Sequence, residues 1–199
     1  MATQTSTARY PKNALARDGA VALGLGSLVG VPIGIATATI APQLATPGSS
    51  AFGWSGAVLT LCHVAVLFGV AALAASPAAR PGWLKNIGFA AALLGLAAQA
   101  TGEAVIRFDM NVGNVFFSAC MPLMGLGMIL VGIAVLRTGA WSGWRRFAPL
   151  ACGAYIPVVL IPSFVIAGGP SFLALAGFAA IYAVLGLAMY VESSGPNNG

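Results

Sequence analysis

Three polar residues at four-residue spacing, Gln99, Glu103 and Arg107, close an otherwise apolar stretch. On a helix that spacing puts them on one slowly drifting stripe. An ionisable residue inside hydrocarbon is costly enough to mark a functional site by default. With a rise of about 1.5 Å per residue and Arg107 at the membrane boundary, Glu103 is expected about 6 Å deep and Gln99 about 12 Å deep. His63, counted from Ser55, also falls about 12 Å deep, level with Gln99. The same count places Thr60, Asn114 and Ser118 in this half of the bilayer, with Thr37, Thr39 and Ser163. The other half offers little beyond Ser27, Tyr155 and Tyr182. Such gathered polarity predicts a pocket open to the external side.

Two chemistries suit that set. In an intramembrane enzyme of the lipid or terpenoid cyclase or isomerase type, Glu103 is the general acid and His63 or Asp109 the base. Gln99, Arg107, Asn114, Thr60 and Ser118 then contact the small or lipophilic substrate, which needs few polar contacts. In a transporter, Glu103 is a proton-coupling carboxylate and Arg107 an anion contact. Against both stands a purely structural reading. A Glu four residues before an Arg is the favourable orientation for a helical ion pair, so Glu103 and Arg107 are expected to pair at the interface with Asp109 nearby. His63 beside Thr60 then serves as a hydrogen-bonded packing residue. A third class, an accessory subunit packed against a larger membrane complex or a second copy, needs no site at all.

Cys120, Met124 and Met128 repeat the four-residue spacing one segment later. Soft sulfur ligands on one face can pass Cu(I). Methionine is also an adaptable packing residue, and without a collecting tail rich in His or Met the packing reading is preferred and no metal is assigned. No cofactor is assigned either. Gly24-x-Gly26 and Gly125-x-Gly127 follow no strand, and phosphate-binding, nucleophile-elbow and His-Glu-x-x-His motifs are absent from the sequence.

The elements that position these residues follow from composition. Hydrophobic residues form 59% of the 199 and charged residues 7%, with mean hydropathy +0.92. Soluble domains are about 25% charged, so a water-soluble fold is excluded. The net charge of +5 therefore reads as loop charge, and nucleic acid is not an expected partner. Hydrocarbon about 30 Å thick needs about 20 apolar residues per helix. Six segments qualify: 19–41, 54–75, 84–106, 115–136, 148–167 and 171–191. Short joints carrying Pro, Gly, Ser and Asn separate them, so neighbours are expected antiparallel. The first run exceeds the length of a secretory h-region and reads as an anchor that stays. Paired glycines such as Gly26 and Gly30, Gly30 and Gly34, and Gly88, Gly95 and Gly102 predict close helix approach. Pro32, Pro122, Pro157 and Pro162 free carbonyls within spans and predict kinks or cavities.

Positive charge orients the bundle. Arg9, Lys12, Arg17, Arg80, Lys85, Arg137, Arg145 and Arg146 fall on one side and only Arg107 on the other, which predicts both termini in the cytoplasm. Trp83, Trp141 and Trp144 on the inner side and Trp54 on the outer match interfacial belts. The expected organisation is a cytoplasmic basic tail (1–18), an all-α transmembrane bundle of six helices (19–191) and a cytoplasmic tail (192–199). Membrane lipids are its expected surroundings. Seven Arg against two Lys fits a bacterium of high GC content and hence its plasma membrane. The arginine-rich joint Val135-Leu-Arg-Thr-Gly-Ala-Trp-Ser-Gly-Trp-Arg-Arg-Phe-Ala-Pro-Leu150 resembles joints in small, functionally uncharacterised multi-pass membrane proteins of actinobacteria. That resemblance covers the fourth and fifth spans, rests on no catalytic motif and implies no activity.

Overall fold

In a chain this apolar the backbone must satisfy its own hydrogen bonds, and helices do so within each segment. The computed structural model describes residues 12–79 and 81–194, and among them it is all-helical. Six helices are long and apolar enough to cross a membrane. They are α1 (Lys12–Thr39), α2 (Ser50–Ala75), α3 (Trp83–Val105), α4 (Met110–Thr138), α5 (Gly143–Ala167) and α6 (Phe172–Ser194). Of the basic set, Arg9 of the predicted tail and Arg80 of the second joint lie outside the described residues.

The ends are set by local chemistry. Ser49 caps α2, its Oγ accepting from the Phe52 N–H at 3.0 Å. Asp109 caps α4, its Oδ1 accepting from Asn111 N–H at 2.9 Å and Val112 N–H at 3.1 Å. Gly139, at φ 63°, terminates α4 in the left-handed region that a side chain would resist. The prolines act unequally. α1 and α4 continue as helices through Pro32 and Pro122. In α5, by contrast, a 3₁₀ turn (Gly143–Phe147) leads into regular helix (Ala148–Tyr155), a π segment (Ile156–Leu160) and a final helix (Ile161–Ala167). Pro157 and Pro162 each lack the N–H that an α-helical ladder needs, and wider π bonding absorbs the mismatch.

Each helix packs on its chain neighbours, and α6 returns to α1 to close the ring. Glycines mark the tightest seams. Gly26 lies against the Cys62 carbonyl, Gly34 against the Phe172 carbonyl, Gly186 against the Gly24 backbone, and Gly95 against Met124 and the Cys120 carbonyl. In each seam the numbers rise along one helix as they fall along the other, so the packed neighbours are antiparallel. Backbones this close gain dispersion along their whole length, the main attraction available between helices in lipid. Buried Leu23, Leu96, Met124, Met128, Ile156 and Leu185 belong to one continuous core. The end where α1 begins and α6 finishes is called here the terminal end, the other the distal end. At the terminal end Arg145 pairs with Glu192 at 2.7 Å, and the Thr138 hydroxyl donates to the Ala78 carbonyl at 2.9 Å.

Candidate functional site

Of the eight residues singled out by type and spacing, the structure brings two into direct contact. His63 stands midway along α2 and Gln99 about 9 Å from the distal end of α3 by the helical rise. Their Nε2 atoms are 2.8 Å apart. In this arrangement the Gln99 amide donates and the imidazole accepts, which puts the proton of a neutral ring on Nδ1. The pair joins α2 to α3 across the ring wall. Gln99 is 7% exposed, and its Oε1 has no partner, nor does His63 Nδ1.

Glu103 lies one turn farther toward the distal end. It is half-buried, its backbone carbonyl faces Gly56 of α2, and its carboxylate makes neither ion pair nor hydrogen bond among the described residues. Thr60, one turn from His63 on α2, folds its hydroxyl onto the Gly56 carbonyl at 2.8 Å. The remaining four turn away from the interior. Arg107 is exposed beyond the end of α3, its guanidinium 4.9 Å from the Phe108 ring centre. The expected Glu103–Arg107 ion pair is not formed, because α3 stops at Val105 and the i, i+4 relation ends with it. Asp109 is exposed and occupied as the α4 cap. Asn114 and Ser118 lie exposed on α4, and the Ser118 hydroxyl donates to the Asn114 carbonyl at 2.8 Å.

Two residues that sequence reasoning assigned to the opposite half complete the surroundings of His63. A cavity of about 30 Å³ between α1, α2 and α6 is lined by Ser27, Cys62, His63, Phe178 and Tyr182, among others. Ser27 is 3% exposed and Tyr182 1% exposed, and neither Ser27 Oγ nor Tyr182 OH has a partner. Tyr182 is held by the Phe178 ring, with centroids 4.7 Å apart and planes at 48°. Phe178 in turn faces Tyr155, whose hydroxyl donates to the Ala174 carbonyl at 3.0 Å. Ser27, His63 and Tyr182 each stand near the middle of a long helix, so the polar centre is at mid-depth. Its sequence signal was weak: a serine between packing glycines, and a tyrosine in an apolar span.

Comparison with protein-family models, with curated proteins and with solved structures finds no match. The chemistry of the site therefore rests on its own atoms. No group of three or more His, Cys, Asp or Glu side chains is gathered at metal-binding distance among the described residues. Cys120, Met124 and Met128 are all buried in the core, where Met124 packs on Gly95 and the Cys120 thiol donates to the Phe117 carbonyl at 3.3 Å. A larger cavity, about 180 Å³, opens at the terminal end beside Leu73, Trp141 and Met189. Its one charged lining residue among those described, Glu192, is already engaged by Arg145.

Proposed function

We propose that this chain is a multi-pass protein of a bacterial plasma membrane, both termini cytoplasmic, that binds a small or lipophilic molecule in the bundle interior through His63 and Gln99. One observation carries the reading: an imidazole–amide pair between α2 and α3 that leaves two buried atoms, Gln99 Oε1 and His63 Nδ1, without a partner among the described residues. Unsatisfied polar groups in such surroundings cost several kcal/mol, about 1–3 each by protein measurements, and a ligand that pairs them recovers that energy. Glu103 stands one turn nearer the distal end and Arg107 at its rim, so approach is from that side. Arg17, Lys85, Arg137, Arg145 and Arg146 belong to the terminal end, which supports the cytoplasmic placement of that end.

The test is native mass spectrometry of the protein released from mild detergent. A co-purifying small molecule or lipid is expected on the wild type and lost from His63→Leu and Gln99→Met. A mass retained unchanged by both variants overturns the site. A clean monomer without adduct overturns the binding reading, and a stoichiometric protein partner in its place assigns the accessory-subunit role.

A second reading has its own support. The half-buried Glu103 has no ion-pair or hydrogen-bond partner for its carboxyl among the described residues, which leaves it free to act as a general acid on a lipid or isoprenoid. Glu103→Gln is then expected to insert and fold normally while product formation from the identified ligand stops. Unchanged turnover in that variant removes Glu103 as the acid.

A further inference from the structure

The two nitrogens of His63 face different surroundings. Nε2 is taken by Gln99, while Nδ1 is buried, unpartnered and on a residue that lines the 30 Å³ cavity. Two further polar atoms on lining residues, Ser27 Oγ from α1 and Tyr182 OH from α6, are also buried and unpartnered. Three orphaned atoms from three helices around one small space is a different situation from a stray hydroxyl on a helix. Elsewhere in the bundle Thr37 and Thr60 bond the carbonyl four residues back, at 2.7 and 2.8 Å, and need nothing else.

We propose that this cavity is a binding site for one water molecule, which bridges Ser27 Oγ, His63 Nδ1 and Tyr182 OH and ties α1, α2 and α6 together at mid-depth. Size and chemistry agree on the occupant. A buried water needs about 10–15 Å³ of such space and typically makes about three hydrogen bonds, so the cavity admits it and the three orphaned atoms match its bonding capacity. A lipid chain, a metabolite or a hydrated ion does not fit a space that small, and an apolar guest leaves all three atoms unpaired. A donor and an acceptor are in place for each of the three contacts. With the imidazole proton on Nδ1, His63 donates to the water oxygen, the water donates one hydrogen to each hydroxyl oxygen, and the hydroxyl hydrogens remain free to rotate. Rotating the Gln99 amide moves the imidazole proton to Nε2, and the water then donates to Nδ1 and accepts from one hydroxyl, so the site serves both tautomers. The water takes His63 Nδ1, which leaves Gln99 Oε1 as the unpaired atom open to the ligand of the function proposed above.

The test is X-ray radiolytic footprinting of the full chain in nanodiscs, with ¹⁸O-water mixed in shortly before exposure. Bound water is expected to label Tyr182 and Cys62 despite their burial, with an ¹⁸O content that lags behind that of exposed Trp54. In Ser27→Thr, which keeps the hydroxyl and fills the space with a methyl group, labelling of Tyr182 should fall severalfold while Trp54 is unchanged. Tyr182 unlabelled in the wild type, or labelled equally in Ser27→Thr, overturns the proposal. The ligand reading is scored separately, by the co-purifying mass in Gln99→Met, so either can fail without the other.

Discussion

Replacing Gln99 by methionine removes one hydrogen-bonding partner while keeping an unbranched side chain of similar length. Gln99 is 7% exposed and its amide bonds His63 at 2.8 Å, so Gln99→Met leaves His63 Nε2 in the bundle without its partner. Stranding one buried polar group costs about 1–3 kcal/mol. Polar bonds between membrane helices measure about 0.6 kcal/mol on average and reach about 1.7. We therefore expect Gln99→Met to destabilise by about 1–3 kcal/mol, and His63→Leu by a similar amount because it strands the amide. The double variant strands nothing and should cost less than the two singles together, by about 1–2 kcal/mol. Steric trapping of the unfolded state in bicelles reads these differences without harsh denaturant. Independent sites add within about 0.3–0.5 kcal/mol. Additivity within that margin would show that the two side chains do not share a bond, and the site would lose its anchor.

Three further expectations test the frame around the site. A Cβ on Gly95 would sit 2.7 Å from Met124 N and 3.0 Å from the Cys120 carbonyl, where ordinary contact begins at 3.4 Å. Gly95→Ala thus parts α3 from α4 by roughly 0.7 Å and costs about 1–3 kcal/mol as overpacking, whereas Gly24→Ala, with nothing within 4 Å, does not; equal melting temperatures would refute the seam. Asp109→Ala loses the α4 cap, at about 1 kcal/mol, and speeds amide exchange at Asn111 and Val112, while Asp109→Asn preserves both. If Asp109→Asn kept the cap but stopped turnover, the carboxylate would be a base as well as a cap. For orientation, a membrane-impermeant maleimide should label Gly48→Cys in intact cells and Gly139→Cys only after lysis, the native cysteines being buried; the reverse pattern would invert the bundle.

The six helices were legible because hydrocarbon imposes long apolar runs and the joints between them carry Pro, Gly and Ser. Their ends were less so. α1 begins at Lys12, α2 at Ser50 and α4 at Met110, each several residues before the apolar run, because helical hydrogen bonding and caps such as Ser49 and Asp109 extend into polar flanks that hydropathy does not count. The stripe Gln99–Glu103–Arg107 was legible as spacing, yet it assumed a helix that continues past Arg107. With α3 ending at Val105, the arginine swings onto Phe108 and the stripe reduces to Gln99 and Glu103. The contact of Gln99 with His63 is different in kind. Nothing in spacing along one helix says which turn of a neighbour it meets, and the register between α2 and α3 is decided by packing along the seam, as at Gly56 against the Glu103 carbonyl.

Counting polar residues by depth also misjudged where the demand for partners lies. Thr37, Thr39, Thr60, Thr101, Ser118 and Ser163 all return their hydroxyls to a carbonyl three or four residues earlier on their own helix. A hydroxyl satisfied this way is compatible with lipid and asks nothing of a ligand. Most of the apparent polarity of the distal half is of that kind. Ser27 and Tyr182 make no such bond, Ser27 although it could and Tyr182 because its hydroxyl stands too far from its own backbone, so both carry their demand into the interior beside His63. What distinguishes a site in a membrane bundle is therefore the set of polar atoms its own helices leave unpaired. Among the described residues that set is Ser27, His63, Gln99 and Tyr182, with the Glu103 carboxyl one turn nearer the distal end, and it adds Ser27 and Tyr182, which the depth count had put in the other half, to the His63 and Gln99 it had put level with each other.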